Sequence, residues 1–123
     1  MKGFIIASIT LLILSASVII NTIYIDDTTD SLLLSLDSIP HDPAHESTLT
    51  LCEEFRARWS DFSTILLLSV DHKAIEDIED TCATLISHAK SGDTDSFLAD
   101  IFLLREEIIH LRKAELFSFI GIL

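Results

Sequence analysis

The spacing that points most directly to chemistry is Glu107-x-x-His110. On a helix these two side chains share a face, as in ferritin-like di-metal bundles, where two such motifs and two further glutamates converge inward. This helix carries one copy, so a Glu or Asp from the second or third helix would have to complete a metal site. His72 and Glu76 offer partners by type, but the register derived below puts them on the opposite flank from Glu107 and His110. A structural or solvated role is the plainer expectation. A second group, His41, Asp42, His45 and Glu46, crowds the Pro40–Pro43 turn and could hold an adventitious zinc or nickel ion. Pro43 breaks the helix that would align His41 with His45, and Leu49 stands where a His-Glu-x-x-His motif needs its second histidine. We therefore expect no metal centre, with Glu107, His110, His41 and His45 as the residues that would carry one. Asp71-His72 could make a proton-sensitive contact with Arg112, although a helix cap by Asp71 explains the pair more simply.

Cys52 and Cys82 invite a disulfide if the domain lies outside the cytoplasm. With a helix break at position 71 they stand about eight residues out of level, roughly 12 Å, beyond the reach of a bridge. Two buried free thiols are expected. The sequence has no Gly-x-Ser-x-Gly, no glycine-rich phosphate loop and no Cys-x-x-Cys. Nothing here assembles a catalytic group, a cofactor site or a small-molecule substrate site, so we expect a protein that is not an enzyme.

The elements that would position these residues are helical throughout. There are three Gly, two Pro and no period-2 alternation. Phe4 to Ile25 is an uncharged run of 22 residues. As a helix it reaches roughly 33 Å, enough for a hydrocarbon core about 30 Å thick. The terminal amine and Lys2 precede it and Asp26, Asp27 and Asp30 follow, with no further cation until Arg56. That asymmetry places the N-terminus in the cytoplasm and the rest outside. Ser15-Ala16-Ser17 has the form of a signal-peptidase site, which would make a secreted protein, but the apolar run continues to Ile25 and favours an uncleaved anchor. The domains expected are therefore residues 1–25, the anchor, and 26–123, one acidic bundle. The chain has a formal net charge of −12, and without Lys2 the outer part carries 7 − 20 = −13. Such a domain repels nucleic-acid phosphates and anionic head groups, so nucleic-acid binding is excluded as a function class.

The anchor helix should run on through Leu32, Leu33, Leu36 and Ile39 to about Ser38, where Pro40-His41-Asp42-Pro43 ends it. Asp42 as N-cap and Pro43 at the first helical position would open helix two at Ala44. Its seam, Thr48, Cys52, Phe55, Trp59, Phe62 and Leu66, is spaced 4, 3, 4, 3, 4. A second seam, Ile75, Ile78, Cys82, Leu85 and Ala89, is out of phase with the first, which predicts a break at Val70-Asp71-His72 or a kinked continuous helix. Gly92 and Asp93 then turn the chain into a helix with the seam Phe97, Ile101, Leu104, Ile108 and Leu111. Folding back about Asp93 pairs each residue of this seam with one of helix three in a single register, every pair summing to 186. That register also sets His88 against Asp100 and Thr81 against Glu107 on one edge. On the other it sets Ile86 against Leu98, Glu79 near Arg105 and His72 near Arg112. The last residues, Leu116 to Leu123, are too short to span a bilayer and apolar enough to lie against the bundle base or the membrane interface.

The layout resembles an uncharacterised family of small single-pass membrane proteins of Gram-positive bacteria, a domain of unknown function. The residues that carry the likeness are Met1-Lys2-Gly3 before an apolar anchor, Trp59 with Phe62, Val70-Asp71-His72 before a helix with Ile75 and Ile78, the Gly92-Asp93 turn, and the apolar C-terminus. Gly121 stands where that family usually has asparagine. The resemblance implies a bacterial membrane setting and brings no activity. The fold expected is all-α: an N-terminal transmembrane helix continuing into a small extracytoplasmic antiparallel bundle of three to four helices. The function expected is that of an interaction or structural module, meeting a protein partner or its own copies through apolar residues off the seams, Leu67, Leu68, Phe102, Leu103 and Ile109. A metal-binding or metal-sensing bundle using Glu107 and His110 is the alternative.

Overall fold

Helix α1 (Lys2–Asp37) is a single uninterrupted element, and it does two different things along its length. The computed structural model describes residues 1–66 and 72–122, and their side chains except at 21 and 116–122. Within these, α1 is followed by α2 (Thr48–Ile65), α3 (His72–Ser91) and α4 (Thr94–Ile122), with no strand among the described residues. Up to Tyr24, the described side chains of α1 are exposed or half-exposed. From there Ile25, Thr29, Leu32, Leu36 and Ile39 are buried, a 4, 3, 4, 3 spacing that faces the bundle core. The N-terminal part of α1 is long and apolar enough to cross a membrane, and its apolar stretch is not buried in the protein.

Cross-helix contacts fix the directions. Arg105 meets Asp37 and Arg112 meets Asp30 at 2.7 Å, so α4 runs antiparallel to α1. Phe62 stacks on Tyr24 at 6.3 Å between ring centroids and Arg58 reaches Ser35, so α2 is antiparallel to α1 as well. Thr81 meets Glu107 and His88 meets Asp100, which makes α3 and α4 the hairpin expected. Helices α1 and α2, α2 and α3, α3 and α4, and α4 and α1 are in contact, closing an up-down-up-down four-helix bundle. Every seam residue predicted for α2, α3 and α4 is buried, from Thr48 and Phe55 to Ile108 and Leu111.

Three local expectations are corrected. Helix α2 begins at Thr48 rather than Ala44, because Asp42 does not cap a helix there. Its carboxylate accepts the Ala44 N–H in an Asx turn, and its carbonyl accepts the Thr48 hydroxyl at 2.7 Å, while the His45 N–H donates to the Asp42 carbonyl and the Thr48 N–H to the His45 carbonyl, closing successive four-residue turns. The hydroxyl bond satisfies the buried Thr48 side chain and ties the turn to the head of the helix. Arg105 and Arg112 pair with α1 instead of Glu79 and His72, since α1 covers that edge of the hairpin and offers Asp26, Asp30 and Asp37. Ile25, assigned to the span, also belongs to the bundle seam. The expected break falls largely outside the described residues; α2 is capped at Leu66 and α3 begins at His72 and packs against α2, so these are two helices rather than one kinked one.

The turn into α4 follows its sequence closely. Gly92 has φ +74°, and the Asp93 N–H reaches back to the His88 carbonyl, the six-residue bond of a Schellman ending. Asp93 then accepts the Ser96 N–H and caps α4.

Candidate functional site

Between α3 and α4 lies a groove of about 300 Å³ lined by Ala74, Asp77, Glu106, Glu107 and His110. The seam residues Ile78 and Ile108 of the same two helices are both fully buried. Thr81 Oγ1 lies 2.5 Å from Glu107 Oε1 and 2.9 Å from the Asp77 carbonyl, so the hydroxyl bridges the two helices. Burial pushes the Glu107 carboxyl above its ordinary range; the Thr81 bond opposes this, and Asp77 and Asp80 add to the rise. Asp77 also meets Lys73 one turn before it at 3.5 Å, the lysine exposed and the aspartate half-exposed.

Glu107 and His110 do share the groove, and Asp77 is the α3 acid that joins them. His72 and Glu76 are exposed and are not among its lining residues. Of the α3 acids, sequence reasoning named Glu76 and set it aside on the register without naming Asp77, although one signal was present: Asp77 sits one turn before Thr81, on the edge already matched to Glu107. Among the described residues, no three His, Cys, Asp or Glu side chains converge tightly enough to hold a metal ion. The groove can take a cationic or hydrogen-bonding group against one half-buried carboxyl; it has no paired nucleophile and base.

The histidines of the proline turn part company. His45 is exposed and folds onto Ser47, with Nδ1 at 2.9 Å from the hydroxyl. His41, also exposed, lines a groove of about 230 Å³ with Leu98, Ile101, Phe102 and Arg105 of α4. Two turns above Glu107 on the same edge of the hairpin, His88 Nδ1 and Asp100 Oδ2 are 2.5 Å apart and mostly shielded. Both cysteines are buried free thiols. Burial raises Cys52 to about 11 and Cys82 to about 12, the latter despite the opposing charge of Arg56. Trp59 packs edge-on to Phe62 at 5.9 Å, and its buried Nε1–H finds no acceptor among the described residues.

A family model described as a domain of unknown function, DUF4363, matches residues 18–122. The chain belongs to that family. The DUF4363 match takes in every bundle helix and the upper part of the apolar stretch of α1, so the seam of Ile25, Thr29, Leu32, Leu36 and Ile39 falls within it. No curated protein and no solved structure matches the chain.

Proposed function

We propose that this protein is a single-pass membrane protein whose acidic four-helix bundle stands outside the cell as a non-catalytic interaction or structural module. The observation that carries this is the division of labour along α1. One helix leaves its apolar N-terminal part uncovered by protein and then, without a break, supplies a core seam to the bundle. Uncovered Ile5, Ile6, Leu11, Leu12, Ile19 and Ile20 are costly in water and favourable in hydrocarbon. Helical continuity through Ser15-Ala16-Ser17 supports an anchor that is kept, because the bundle's own α1 is the same rod. The basic N-terminus and the acids after Ile25 support an outward bundle. A partner would meet α4 at Leu98, Phe102 and Leu103, which stand partly or largely exposed off the seam.

Protease added to intact cells tests the placement. We expect digestion of the bundle from outside and protection in inverted vesicles; the opposite pattern would overturn the topology. Cross-linking in the same membranes that traps only a lone monomer would count against an interaction role.

A further inference from the structure

We infer that the end of the bundle from which the apolar part of α1 emerges is itself seated in the lipid surface, so that the protein meets the bilayer through its bundle base as well as its anchor. This rests on the membrane placement proposed above and adds a second contact to it. The position follows from the α1–α4 register. Asp37 with Arg105 and Asp30 with Arg112 each sum to 142, and α4 is helical to Ile122, which puts its last turn level with Ile20. That is five residues below Ile25, about 7.5 Å at 1.5 Å per residue. Interfacial helices bury an apolar face about 5–10 Å into the same zone.

Helix α2 arrives at this level independently. Its Phe62 lies against Tyr24, and Ile65, almost one turn further on, is 56% exposed. Tyrosine at the head-group level is the usual anchor of a spanning helix, and Tyr24 is itself 40% exposed beside Ile65 and Phe62, which line one groove with it. Composition agrees: after Glu115 the sequence holds no charged side chain, whereas Asp26, Asp30, Asp61 and Arg112 begin just above. The attraction is apolar. A domain with a charge of −13 on residues 26–123 gains nothing from anionic head groups, so the contact should not depend on them.

The test uses the full chain reconstituted in phosphatidylcholine vesicles, with an environment-sensitive fluorophore on one introduced cysteine at a time. The variants are Ile65→Cys, Ile120→Cys, Leu12→Cys and Phe102→Cys, and the parent protein, with only the buried Cys52 and Cys82, gives the background labelling. Lipids brominated near the glycerol end of the acyl chain should quench the labels at 65 and 120 and leave 102 bright, while lipids brominated near the chain end quench 12. Replacing part of the lipid with phosphatidylglycerol should leave the quenching unchanged. Labels at 65 and 120 that escape quenching while 12 is quenched would overturn the seating and leave the anchor standing; an emission as blue as a protein interior would then mean the terminus packs on its own bundle. A label at 12 that no lipid quenches would overturn both. Quenching that appears only with phosphatidylglycerol would overturn the apolar contact.

Discussion

If α1 is a structural helix of the bundle and not a tether, shortening Leu36 should damage the fold far more than shortening Leu34. The two residues are neighbours on one helix, but Leu36 is 0% exposed and Leu34 71%. Leu36→Ala removes side-chain carbons from a closed core between α1 and its neighbours, and buried Leu→Ala changes cost about 2–5 kcal/mol through lost transfer energy and the cavity left behind. A mid-range loss of about 3 kcal/mol lowers Tm by about 12–24 °C for a domain of this size. Leu34→Ala leaves helix propensity nearly unchanged and should stay within about 0.5 kcal/mol. Trp59 is the one tryptophan, buried against Phe62, so its emission reports bundle unfolding even where micelle-bound α1 stays helical. Thermal unfolding of the purified protein in mild detergent, followed at Trp59, reads the difference. Equal losses for the two variants, or a larger one for Leu34→Ala, would refute the assignment of α1 to the core.

Three further outcomes are expected. Thiolate is the reactive form of cysteine, so alkylation of the native protein at mildly alkaline pH should be slowed roughly a hundredfold at Cys52 and a thousandfold at Cys82 relative to the unfolded chain, as timed by mass spectrometry. Glu107→Gln should raise Tm at neutral pH: the folded carboxyl has a raised pKa, so the bundle favours its neutral form, and that preference is present below the unfolded value and lost as pH rises through the folded one. The advantage of the variant should therefore vanish in acid, as a pH series of melts would show. A double-mutant cycle between Arg112→Gln and Asp30→Asn should give a coupling of about 0.2–1 kcal/mol that shrinks with salt; no coupling at low ionic strength would remove the ion pair that sets the α1–α4 register.

The seams of α2, α3 and α4 were legible because each keeps a 4, 3 spacing of large side chains, and the hairpin about Asp93 because one sum satisfied every rung. One edge of that hairpin, Thr81 with Glu107 and His88 with Asp100, meets as that register places it. On the other edge the two arginines differ, since pairing two helices says nothing of a third that covers their flank, and Arg105 and Arg112 find the α1 acids there. The overlap at Ile25 was hidden for a different reason: hydropathy scores a residue facing lipid and one facing a protein core alike. Asp42 misled because the same side chain serves an Asx turn as readily as a helix cap, and the choice depends on Thr48 reaching its carbonyl. For the groove, Glu107 and His110 were visible as a helical pair, whereas Asp77 required the inter-helix register to be carried one turn further.

The division of α1 into a lipid-facing and a core-facing part is tested most directly by thiol accessibility along that one helix. Leu12→Cys, Leu34→Cys and Leu36→Cys would be treated in intact cells with a membrane-impermeant maleimide. We predict rapid labelling at 34 and none at 12 or 36. Labelling at 12, equal rates at 34 and 36, or labelling at 34 only after the cells are opened would contradict the account.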